Sequence, residues 1–133
     1  LDGRGTLPPA PVVVARAVED SAFRADPARA LRAEGMFGRR CALCHGVHAL
    51  AAGGAPDLRS SVVPLNPAAF ANVVREGALV PRGMPRYEEF TDEELSDLAF
   101  YIRTQAAKLR SAQQGASTSS APPKAGTADP AKP

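Results

Sequence analysis

The chain has 133 residues, enough for one domain and not two. Its net charge of +2 is too small for a nucleic-acid surface, and no apolar run is long enough to span a membrane. Basic residues are mostly Arg while Ala, Pro and Gly are abundant, which reads as codon bias rather than function.

In chain order, residues 1–26 carry Pro8, Pro9, Pro11 and a short Val12-Val13-Val14 run with little helical period. They read as an extended Pro-rich lead-in lying on a surface. The chain starts at Leu1 without Met or a signal peptide, which suggests a processed chain or a domain cut from a larger one. A first helix is signposted by Asp26 as N-cap and Pro27 at N1. Ala30, Ala33, Phe37, Cys41 and Cys44 recur at spacings of three and four, so both cysteines share the inward stripe of Phe37. Gly46 suits a chain reversal after it. A second helix starts at Asn66-Pro67, buries Phe70, Val73 and Val74, and stops at Gly77. A third opens on the capping box Thr91-Asp92-Glu93-Glu94 and continues with Leu95, Leu98, Ala99, Ile102, Ala106 and Leu109. Residues 111–133 lack large apolar side chains and have little to bury, so they are expected to be a disordered tail. No segment alternates as a strand. The expectation is an all-α domain over residues 27–110, about three main helices, flanked by the lead-in and the tail.

The chemistry lies in Cys41-Ala42-Leu43-Cys44-His45, which holds both cysteines of the chain. Two thiols three positions apart can each add to one vinyl group of a haem, and the following histidine is then held under the iron. This is the sequence form of c-type haem attachment. A thioredoxin-like dithiol would need a βαβ setting, and none surrounds it. A structural zinc site needs about four ligands. Here Cys41, Cys44, His45 and His48 would make an odd cage. A buried haem would also supply apolar mass to a small core.

A six-coordinate iron needs a ligand opposite His45. Met36 lies on the helix that carries the thiols, and His48 is tethered on the side of His45. Met84 stands in Pro81-Arg82-Gly83-Met84-Pro85, a Pro/Gly frame between two helices, and is the expected sixth ligand. His/Met ligation leaves no open position and suits electron transfer rather than oxygen chemistry. No paired carboxylates or nucleophile–base set is present, so no catalytic residue is assigned and the chain is not expected to be an enzyme by itself.

With these features residues 27–110 resemble a class I mono-haem cytochrome c. Phe37 matches the aromatic four before the first cysteine, and Leu98 and Tyr101 match the pair packed on the first helix. Pro56-Asp57-Leu58 resembles the segment whose proline carbonyl accepts the Nδ1–H of the haem histidine. Ala33 stands where the family has Gly at the helix crossing, which implies a slightly wider crossing.

A narrower resemblance rests on four segments: Cys-x-x-Cys-His-Gly, Gly53-Gly54-Ala55-Pro56-Asp57-Leu58-Arg59-Ser60-Ser61, Phe70-x-x-Val73-Val74-x-x-Gly77 and Gly83-Met84-Pro85-Arg86-Tyr87. These are similar to the C-terminal haem domain of quinohaemoprotein alcohol dehydrogenases. That resemblance implies one covalent haem c here and pyrroloquinoline quinone (PQQ) on a fused or partner dehydrogenase domain. It implies a periplasmic electron-transfer domain, with a downstream acceptor and an exposed haem edge near Ala49–Gly54 and the Met84 loop. Arg59 is then a candidate contact for a haem propionate, or else a solvated cation. A free-standing soluble shuttle and a haem sensor with a labile Met84 are the rival readings.

Overall fold

A computed structural model describes residues 15–51 and 54–119 of the chain. Among the described residues the fold is all-α. Helix α1 spans Pro27–Arg40, the single turn α2 spans Ala42–His45, α3 spans Pro67–Val74 and α4 spans Asp92–Ser119. Short 3₁₀ turns at Leu58–Ser60, Val63–Leu65 and Val80–Arg82 shape the loops between them.

Each main helix begins where local chemistry sets it. The Asp26 carboxylate accepts the Arg29 N–H at 3.0 Å, and the Asn66 side chain accepts the Ala69 N–H at 3.0 Å. Both caps precede a proline, which has no N–H to leave unpaired at N1. At α4 the box is reciprocal: Thr91 N–H donates to Glu94 Oε2 at 2.9 Å, and Glu94 N–H donates to Thr91 Oγ1 at 3.2 Å.

Helices α1 and α4 cross with Ala33, Phe37 and Leu98 fully enclosed and the rings of Phe37 and Tyr101 4.9 Å apart. Ala33 is thus accommodated at the crossing. Phe70 and Val74 of α3 join the same core with Phe90, Leu95 and Ile102. Truncating Phe37 to Ala would cost about 3–5 kcal/mol. The crossing is also tied at its edge: Arg29 Nε donates to Asp97 at 2.6 Å, its guanidinium lies 4.5 Å over the Phe100 ring, and Nη2 donates to Ser96 Oγ at 2.7 Å.

Three details differ from the sequence reading. The first helix does not run unbroken through the cysteines. Cys41 leaves helical geometry (φ −116°), and α2 restarts as one turn in which the Cys44 and His45 N–H groups both donate to the Cys41 carbonyl. Helix α3 ends at Val74, and Gly77 instead makes the turn after it at φ +77°, where a Cβ would lie 2.9 Å from Arg86 Cδ.

Third, the disordered tail expected from residue 111 is corrected over 111–119, where α4 continues. The reason is a partner distant in sequence. Residues 15–24 run extended or in turns along α4: Gln113 Nε2 donates to the Ala15 carbonyl at 2.8 Å and Gln113 Oε1 accepts the Ala17 N–H at 3.3 Å. Arg110 donates to the Val18 carbonyl at 2.6 Å, Arg103 pairs with Asp20 at 2.7 Å, and Phe23 lies 5.1 Å from Phe100. The rest of the expected tail, 120–133, and the Pro-rich residues 1–14 lie outside the described residues.

Candidate haem site

A cavity of about 790 Å³ opens between α1, α3 and α4, within the range of cofactor sites, about 300–1,000 Å³. Phe37, Leu98 and Ile102 line it from the helix crossing, and Phe70, Val73 and Val74 from α3. Cys41, Cys44 and His45 line it from the α1–α2 break, and Met84 from the loop before α4. The sequence-predicted thiols and both expected axial ligands are therefore on one apolar cavity.

His45 Nδ1 lies 3.3 Å from the Pro56 carbonyl. A carbonyl only accepts, so the bond requires the proton on Nδ1, and in the neutral ring that leaves the lone pair on Nε2. Pro56 itself lines the cavity. Cys41 is half-buried and burial pushes its thiol up to about 11, with Arg40 opposing the effect. A redox-active dithiol needs the opposite shift. Among the described residues no three His, Cys, Asp or Glu side chains converge as a metal cage.

Met84 is positioned by its frame. Val80–Arg82 makes a 3₁₀ turn, and Gly83 at φ +90° reverses the chain so that the Met84 N–H reaches the Leu79 carbonyl at 3.3 Å. That φ suits glycine and is disfavoured for other residues. Tyr87 has a role that its place in the sequence motif does not reveal. Its hydroxyl donates to the Arg40 carbonyl at 2.8 Å and its N–H to the Val74 carbonyl at 3.0 Å, so one residue ties the Met84 loop to both α1 and α3. Burial raises the Tyr87 pKa, which keeps that hydroxyl a donor. The available signal was an aromatic three residues after the methionine.

The remaining candidates fall elsewhere. Met36 packs on the core and His48 is exposed in a left-handed backbone (φ 58°), and neither lines the cavity. Arg59, the candidate propionate contact, is not part of the lining, and its guanidinium grips Asp57 with Nε–Oδ1 at 2.9 Å and Nη2–Oδ2 at 2.7 Å. Arg40 and Arg82 are the cations that line the cavity.

Residues 28–102 match the family model described as cytochrome c oxidase, cbb3-type, subunit III. The chain belongs to this family of cytochrome c domains. The chain is similar to quinohemoprotein alcohol dehydrogenase ADH IIB of Pseudomonas putida, 33% identical over 106 residues covering 77% of this chain and 15% of that protein. It is similar to the dehydrogenase subunit of the alcohol dehydrogenase (quinone) of Gluconobacter oxydans (strain 621H), 34% identical over 103 residues covering 77% of this chain and 14% of that subunit. A like-named subunit of Komagataeibacter europaeus is 40% identical over 68 residues, 50% of this chain and 9% of that subunit. The chain thus spans a small part of the length of these relatives.

Membership of a cytochrome c family implies haem c and a role in electron transfer. The cavity fits that group: it is apolar, and it carries two thiols, an imidazole with a free Nε2 lone pair and a thioether.

Proposed function

We propose that this domain binds one haem c covalently and passes single electrons from a PQQ-dependent alcohol dehydrogenase to a downstream acceptor. The observation that carries the reading is the His45 Nδ1–H bond to Pro56, made on the wall of an apolar cavity that also bears both thiols and Met84. When bound, haem c supplies a one-electron iron couple. Cys41 and Cys44 anchor it through thioethers. His45 and Met84 would ligate the iron, which would then offer no open position to oxygen or substrate. Pro56 keeps His45 in the tautomer that presents Nε2 and raises its basicity. The apolar lining excludes water and, with the thioether ligand, favours the reduced state. Arg40 and Arg82 offer positive charge to the carboxylates of the group.

The similarity to dehydrogenase subunits supports a donor on the same polypeptide or in the same complex, in the periplasm. Tethering gives a high effective concentration of acceptor beside the donor. It also removes the need for a strongly charged docking face, in agreement with the net charge of +2. Among the described residues no helix is long and apolar enough to cross a membrane.

Stopped-flow mixing of the natural full-length protein with alcohol tests this. Haem reduction should be first order and independent of protein concentration. A rate that rises with added free dehydrogenase would show a diffusing shuttle, and no reduction by any quinoprotein donor would remove the dehydrogenase from the reading.

A further inference from the structure

Pro56 presents the carbonyl that orients His45, yet nothing in Pro56 itself fixes that carbonyl. The residue is exposed and has no N–H of its own to anchor. The anchoring lies in the next three residues. The Asp57 carboxylate accepts the Arg59 backbone N–H at 3.0 Å and the Arg59 Nε–H and Nη2–H at 2.9 and 2.7 Å. Asp57 therefore pins the chain at Arg59, with Pro56 immediately beside the knot. The two side chains are 14% and 16% exposed, so the pair is shielded from the screening that weakens surface ion pairs. A bidentate fork also fixes orientation as well as distance. The Arg59 carbonyl in turn accepts the Val18 N–H at 2.9 Å, which docks the extended 15–24 segment on the same knot.

We propose that Asp57 and Arg59 are a positioning pair for His45: their ion pair holds the Pro56 carbonyl on the imidazole Nδ1–H, and Val18 braces the pair from the far side. The inference rests on the reading of His45 as an iron ligand. It assigns Arg59 a task other than contact with a haem carboxylate. The two assignments differ at Asp57, because an anionic side chain has no direct use to an anionic propionate. Removing the carboxylate disturbs the knot and should loosen the Pro56 carbonyl. The charge effects are also separable. Asp57→Asn removes a negative charge near the iron and should raise the reduction potential, Arg59→Gln should lower it, and the double variant should return towards the parent value.

The test is NMR of the reduced holoprotein, following hydrogen exchange of the His45 Nδ1–H, together with the reduction potential. Asp57→Asn keeps the shape and one acceptor oxygen, and Arg59→Lys keeps the charge while losing the fork, so both should fold. Each should speed Nδ1–H exchange by about tenfold or more, as expected for a weakened hydrogen bond. The double variant Asp57→Asn, Arg59→Gln should regain the potential but not the slow exchange. Exchange in Asp57→Asn within about twofold of the parent would overturn the proposal. If the His45 ring signals of the parent protein show no haem-induced shift, His45 is not the ligand, and the underlying reading falls together with this one.

Discussion

At the residue scale, the side chains that face the cavity decide which of them can ligate a haem iron. Met84 lines it while Met36 and His48 do not. The oxidised holoprotein should therefore show the weak near-infrared sulfur-to-iron charge-transfer band. Met84→Ala should abolish that band and let the iron take exogenous ligands, whereas His48→Gly should leave it intact. A band surviving in Met84→Ala would assign the sixth position to another residue. Asp57 gives a second residue-level expectation. Its bonds to Arg59 hold its carboxyl below the usual carboxylate range, about 3.9. A depressed folded-state pKa adds stability above the unfolded value, and that stability is lost as pH falls through the folded value. Thermal midpoints taken from neutral pH down to acid should thus show Asp57→Asn less stable at neutral pH. The gap to the parent should close as pH drops below about 4. A gap independent of pH would mean that the pair contributes shape and not charge.

The lesson at the scale of elements is where local chemistry suffices. Asp26-Pro27, Asn66-Pro67 and Thr91–Glu94 each mark a helix start within four residues, and all three starts were legible in the sequence. The end of α4 was not. Residues 111–119 have no large apolar side chain, and what holds them is Gln113 bonded to Ala15, a separation of 98 residues that no local pattern reveals. The grip of Asp57 on Arg59 was hidden for another reason: an arginine beside an aspartate reads equally as a solvated pair or as an anion contact. The segment 15–24 behaves in the structure as a strap over α4, and its energetics are testable. Asp20 is 9% exposed against Arg103, so Asp20→Ala should cost about 1–3 kcal/mol by leaving a half-buried guanidinium unpaired. Gln113→Ala removes two hydrogen bonds to the strap and should cost about 1–2 kcal/mol, a fall of several degrees in Tm. The absorbance spectrum of the haem should be unchanged in both. A Tm unaffected by either substitution would show that the strap is not bound in solution.

For the whole molecule, a short all-α frame surrounds a cavity of about 790 Å³, and the groups that give it chemistry come from three separate stretches of chain. Residues 41–45 bring the thiols and the imidazole, the Pro56 carbonyl bonds the imidazole, and residues 79–87 deliver the methionine and lock its loop to α1 and α3. The five-residue motif was legible because its chemistry is contiguous. The role of Tyr87 was not, because its hydroxyl acts across the fold on the Arg40 carbonyl. The central claim is that this frame exists to carry a covalent haem. The direct measurement is the intact mass of the holoprotein, matured with its cytochrome c assembly system and analysed under denaturing conditions. The account predicts a single species of polypeptide plus one haem, reduced to a less stable single-thioether adduct in Cys41→Ala. A mass equal to the bare polypeptide, with the haem released on denaturation, would contradict it.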